Sequence, residues 1–113
     1  MDWDTNNRSN FKLRYKLTLP LNSKFSRIQE KDLNEFLTKV FLNIANKNGI
    51  TLEEMLIKEY EIEILFRAMP NTNISKFINS FKSTSSRLIK KDFEFNESSF
   101  WKKTYCLVTK AVE

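Results

Sequence analysis

Polar and apolar positions alternate with period two over 58–67. Tyr60, Ile62, Ile64 and Phe66 fall on one side, and Glu59, Glu61, Glu63 and Arg67 on the other. That pattern predicts a strand with one buried and one open face, and its β-branched and aromatic residues suit a pleated surface. The same period runs over 11–19, where Phe11, Leu13, Tyr15, Leu17 and Leu19 oppose Lys12, Arg14, Lys16 and Thr18, and Pro20 ends the run. Between the two strands the spacing changes to three and four. Leu33, Phe36, Leu37, Val40, Phe41 and Ile44 form an apolar stripe that predicts a helix over 29–47. Ser26 and Gln29 are suited to cap its start, and Asn48-Gly49 to close it. A further strand is expected over 50–57, although Glu53-Glu54 interrupts its alternation.

After Pro70, Asn71-Thr72-Asn73 supplies cap residues for a second helix over 74–93. Its buried stripe is Ile74, Phe77, Ile78, Phe81, Leu88 and Ile89, and Arg87, Lys90 and Lys91 stand near its negative dipole end. Ser85 falls on that stripe within Ser83-Thr84-Ser85-Ser86, so the helix is expected to approach the sheet closely there. Residues 94–99 read as a loop and 100–108 as the last strand. Residues 1–10 are polar, without periodicity, and read as a flexible tail before a single domain over 11–113. The order β-α-β-β-α-β predicts an α+β, ferredoxin-like fold, with a four-stranded antiparallel sheet and both helices on one face. The first and third strands are then central neighbours.

Composition narrows the chemistry. The 113 residues suffice for one domain with a real core. There is no histidine, which removes imidazole metal sites, Ser-His and Cys-His nucleophile pairs and a histidine general base. A single glycine excludes glycine-rich phosphate loops, and no cofactor is expected. The single cysteine, Cys106, lies in an apolar run and reads as a buried, inert thiol. Net charge is +5, compatible with a polyanionic partner or with a lysine-rich solvated surface. No apolar run reaches the ~18 residues of a membrane span and no signal-peptide pattern is present, so the expectation is a cytoplasmic protein without a membrane partner.

Lys76-Phe77-Ile78, then Ser85-Ser86-Arg87-Leu88-Ile89, then Phe100-Trp101 share their order and spacing with a known family, and Glu61-Ile62-Glu63-Ile64-Leu65 followed by Pro70 fits as well. On these motifs the chain resembles the HUH single-tyrosine transposases of small bacterial insertion sequences and their REP-associated relatives. The resemblance implies binding of hairpins in single-stranded DNA, and cleavage by a tyrosine aided by a metal on a His-hydrophobic-His pair. Glu61 and Glu63 occupy the two histidine positions. The family's tyrosine helix follows the last strand and is not matched before Glu113, while Tyr15, Tyr60 and Tyr105 fall in predicted strands. The resemblance therefore implies a degenerate copy with no catalytic residues and no metal. It also implies a homodimer joined edge to edge, for which Trp101, Tyr105 and Leu107 are the edge candidates.

Two carboxylates at i and i+2 on one strand could hold a hard cation weakly. Cross-strand pairing of Glu61 and Glu63 with Lys12, Arg14 and Lys16 is the simpler reading, each pair contributing roughly 0.2–1 kcal/mol. The leading functional expectation is an inactive, domesticated domain that binds hairpin single-stranded DNA or RNA. Its candidate contacts are Lys12, Arg14, Lys16, Lys82, Arg87, Lys90 and Lys91, with Trp101 available for base stacking. The alternative is a phage- or mobile-element-encoded inhibitor of a host protein. Residual nicking activity, with a nucleophile from elsewhere, is the third.

Overall fold

The computed structural model describes residues 13–22, 30–93 and 100–110. The expected tail over 1–10, Phe11, Lys12, the Ser26 and Gln29 cap and the loop over 94–99 lie outside the described residues. The elements are β1 (Leu13–Pro20), α1 (Glu30–Ala45), β2 (Ile50–Ile57), β3 (Glu61–Ala68), α2 (Ile74–Asp92) and β4 (Cys106–Lys110). The strands form one antiparallel sheet in the order β2-β3-β1-β4, with β1 and β3 at its centre. This is the α+β arrangement that the patterning predicts.

Alternation in the two central strands decides which side is covered. Leu17 and Leu19 of β1 and Ile62, Ile64, Phe66 and Ala68 of β3 are fully buried on one face. Both helices lie against that face. Phe41 of α1 meets Phe66 of β3 at 6.0 Å between ring centroids, and it meets Phe77 and Phe81 of α2 at 5.0 and 5.5 Å. These edge and tilted contacts add to the area term that drives the burial. α1 ends where Asn48 Nδ2 donates to the Ile44 carbonyl at 2.8 Å and Gly49 takes φ 66°, a left-handed conformation that glycine adopts without a steric penalty. α2 starts on Asn73, whose side chain accepts from the Lys76 N–H at 3.1 Å. No helix among the described residues is long and apolar enough to cross a membrane.

Three local expectations change. Tyr60 is 59% exposed rather than aligned with the buried face of β3. The Lys58 N–H donates to the Glu61 carbonyl at 2.9 Å, so residues 58–61 form a turn and β3 begins only at Glu61. The last strand begins at Cys106 rather than near 100: Trp101 forms an isolated bridge with Leu21 at the end of β1, the ladder is interrupted over 102–105, and Phe100 and Trp101 are in the core at 2% and 3% exposure. Trp101 Nε1 donates to Ser85 Oγ at 2.9 Å, and Ser85 Oγ donates to the Phe81 carbonyl at 2.6 Å. A small residue on the α2 stripe is thus what admits the indole beneath the helix. Cys106 is exposed, not buried: it pairs with Thr18 in register and so faces away from the helices.

Replacing Ser85 by alanine leaves the buried indole N–H without this acceptor. The expected loss in urea denaturation is about 1–3 kcal/mol. Unchanged stability would contradict a structural role for the Ser85–Trp101 bond.

Candidate functional site

The face of the sheet opposite the helices is built by strand register. Arg14 of β1 stands opposite Arg67 of β3 and Lys110 of β4, Lys16 opposite Leu65 and Val108, and Thr18 opposite Glu63 and Cys106. β2 adds Thr51, Glu54 and Leu56 beside Arg67, Leu65 and Glu63. Within β1 and β3, Arg14 and Arg67 therefore sit at one end and Glu63 nearer the other.

Glu63 is 8% exposed, a rare state for a carboxylate unless it is paired. Lys58 Nζ donates to Glu63 Oε2 at 3.0 Å, and Lys16 Nζ lies 3.6 Å from the same oxygen. Lys16 reaches it diagonally across the β1–β3 pair, one of the two cross-strand geometries that bring side chains together. The hydrogen bond from Lys58 holds the Glu63 carboxyl below its ordinary pKa, against the opposing effect of desolvation and with help from both ammonium charges.

A second cluster forms around Glu53. The pairing of β2 with β3 shifts register between Leu52 and Glu54, so Glu53 is the extra residue of a β-bulge. One of its carboxylate oxygens accepts from Arg14 Nε and Nη2 at 3.2 and 3.1 Å, and the other accepts from Arg67 Nε. Arg14 and Arg67 are directly opposite, a like-charge pair that on its own destabilises a sheet. Glu53 bridges them. Desolvation raises the Glu53 pKa, but hydrogen bonds from the two guanidinium groups outweigh it and the net displacement is downward.

Of the expected cross-strand pairs, only Lys16–Glu63 forms among the described residues. Arg14 binds Glu53 instead, because its own row lies four residues, roughly 13 Å, along β3 from Glu63. Glu61 stands opposite Pro20 at the start of β3, and no cation among the described residues pairs with its carboxylate. Lys12 lies outside the described residues. Among those described, no three thiol or carboxylate groups cluster closely enough to hold a metal ion.

The expected basic contacts divide between two layers. Arg14 and Lys16 are on the outer face of the sheet. Lys82, Arg87, Lys90 and Lys91 are on α2, across the sheet from them. Lys82 is not a free surface charge: Nζ donates to the Lys102 and Lys103 carbonyls at 2.8 and 3.3 Å and lies 5.8 Å from the Tyr105 ring centroid. Desolvation there lowers its pKa. Trp101 is buried and offers no surface for stacking or for an edge contact, while Tyr105 and Leu107 are half-buried beside the core. The Glu53 cluster and the Lys58 partner were missed by periodicity. The interruption at Glu53-Glu54 was their visible trace, since a bulge is what breaks an alternation.

A family model described as "Transposase IS200 like" matches residues 9–112. The chain belongs to the IS200-like transposase family. Its fold is similar to that of a candidate transposase of Deinococcus radiodurans R1, with a TM-score of 0.76 and 22% identity, over 89% of this chain and 81% of that one. It is also similar to a REP-associated tyrosine transposase solved bound to a REP hairpin, with a TM-score of 0.67 and 7% identity, over 89% of this chain and 58% of that one. No curated protein matches the chain in sequence.

Because the folded-state pKa of Glu63 is depressed, its pairing stabilises the fold above the ordinary glutamate value of 4.5 and that contribution is lost as pH falls through the folded value. Glu63→Gln is expected to cost roughly 0.5–1 kcal/mol at neutral pH, since both lysines remain partly solvated. The difference from wild type should shrink in denaturation series carried into acid. A deficit equally large at acid pH would contradict the ion pairing.

Proposed function

We propose that this chain is a non-cutting member of the IS200-like transposase family, which binds hairpin-forming single-stranded DNA or RNA in a regulatory role. The observation that carries the reading is Glu63, buried on the open face of β3 and matched by two ammonium groups. It stands where the resemblance expects a metal-holding histidine. A carboxylate already neutralised in this way has little charge left for a divalent cation, and a metal seated there would leave Lys16 and Lys58 beside a like charge.

Three facts support retained binding. The chain belongs to a transposase family, its net charge is +5, and a neighbour of the same fold has been solved with a REP hairpin. The helix layer is the better candidate surface. Arg87 and Lys91 are exposed on α2, whereas Arg14, Lys16, Lys58 and Arg67 on the outer sheet face are each engaged with a carboxylate. β4 is the edge of the sheet beside β1, and the reading includes a homodimer joined along it.

Filter binding with hairpin single-stranded DNA should give saturable binding that weakens as salt rises, and Arg87→Gln with Lys91→Gln should lower the affinity at every salt concentration. Incubation with Mg²⁺ or Mn²⁺ should leave the hairpin intact, and light scattering should give twice the 13.5 kDa chain mass. Metal-dependent nicking by the purified chain, or binding indifferent to salt, would contradict the reading.

A further inference from the structure

The Ser83-Thr84-Ser85-Ser86 segment of α2 leaves a hollow of about 340 Å³ between the helix and the chain that leads into β4. Asn79, Lys82, Ser83 and Ser86 line it from the helix, and Lys102 and Lys103 line it from the facing segment, with Trp101 against its floor. Among the described residues, no carboxylate is part of this lining. The contrast with the outer face of the sheet is direct: there, four cations are already bound to Glu53 and Glu63. Here the described lining brings three lysines together with two serines and an asparagine.

Lys82 is held in place. An ammonium group carries three N–H donors, and two of these are directed to the Lys102 and Lys103 carbonyls. The third is left for a ligand, and the side chain that carries it is already ordered, so a bound anion does not have to order it. The same two hydrogen bonds fix the backbone from which the Lys102 and Lys103 side chains project. The Ser83 and Ser86 hydroxyls, one helical turn apart, add neutral donors that a tetrahedral oxyanion can use together with the charges.

We propose that this hollow binds a phosphate group. The nucleic-acid reading above bears only on the source of that phosphate, either a backbone phosphodiester or a small phosphorylated molecule. Occupation by a backbone phosphate would anchor a strand against the middle of α2, with Arg87 and Lys91 continuing toward the C-terminal end of the helix.

Amide and indole resonances of the full ¹⁵N-labelled chain, titrated with inorganic phosphate against chloride at constant ionic strength, test the site. The expected result is a saturable shift confined to residues 79–86 and 101–103 and the Trp101 indole. It should be weakened at least tenfold in Lys102→Gln/Lys103→Gln, whose exposed side chains can be changed without disturbing the core. Equal shifts with chloride, no saturation, or an undiminished response in the double variant would overturn the proposal. A parallel titration with hairpin DNA separates the two readings. If phosphate and hairpin move the same resonances, the ligand is the backbone. If phosphate moves them and the hairpin binds nowhere, the hollow stands as a site for a small phosphorylated molecule and the nucleic-acid reading falls. If the hairpin binds while phosphate leaves these resonances unmoved, the nucleic-acid reading stands and the hollow is not a phosphate site.

Discussion

With Thr18 opposite Glu63 and Arg14 opposite Arg67, the pairing of β1 with β3 assigns every side chain of the two central strands to a face. Leu17, Leu19, Ile62, Ile64 and Phe66 turn toward the helices, and Arg14, Lys16, Glu63 and Arg67 turn away. A slip of one residue would turn one of the strands over and place its charges, Arg14 and Lys16 of β1 or Glu63 and Arg67 of β3, under α1 and α2. The aromatic cluster around Phe41 fixes the same register from the other side, because Phe66 has to meet it. Core packing and outer-face chemistry are therefore consequences of one alignment.

Given that alignment, the outer face has to solve a charge problem. Arg14 and Arg67 are forced together, and Glu63 is forced into partial burial. The bulge at Glu53 answers the first by delivering a carboxylate between the guanidinium groups. Lys58 and Lys16 answer the second. The face becomes a set of closed ion pairs, which suits a structural surface better than an open binding site. On the helix layer, Lys102, Lys103 and α2 surround a hollow with no carboxylate among its described lining residues.

The fold was legible in the chain because period two and period three-four alternate cleanly, and because Asn73 and Asn48-Gly49 mark helix ends with side chains that cap. The Glu63–Lys16 pair was legible too, since it follows from adjacent amphipathic strands. Other features depend on distance in space. Nothing in the local pattern of 100–108 shows that the Trp101 indole bonds to Ser85, since an indole and a serine sixteen residues apart carry no periodic signal. Lys58 and Lys82 read as solvated lysines, and only the turn at 58–61 and the carbonyls at 102 and 103 give them fixed partners. Arg14 appeared free to meet Glu61 or Glu63 until the bulge supplied a nearer carboxylate.

The central claim is that lysines, rather than a metal ion, neutralise the carboxylate on the open face of β3. Calorimetric titration of Mn²⁺ into the purified chain tests it most directly. The account predicts no saturable binding at micromolar to submillimolar manganese. Saturable micromolar binding that disappears in Glu63→Gln would contradict it.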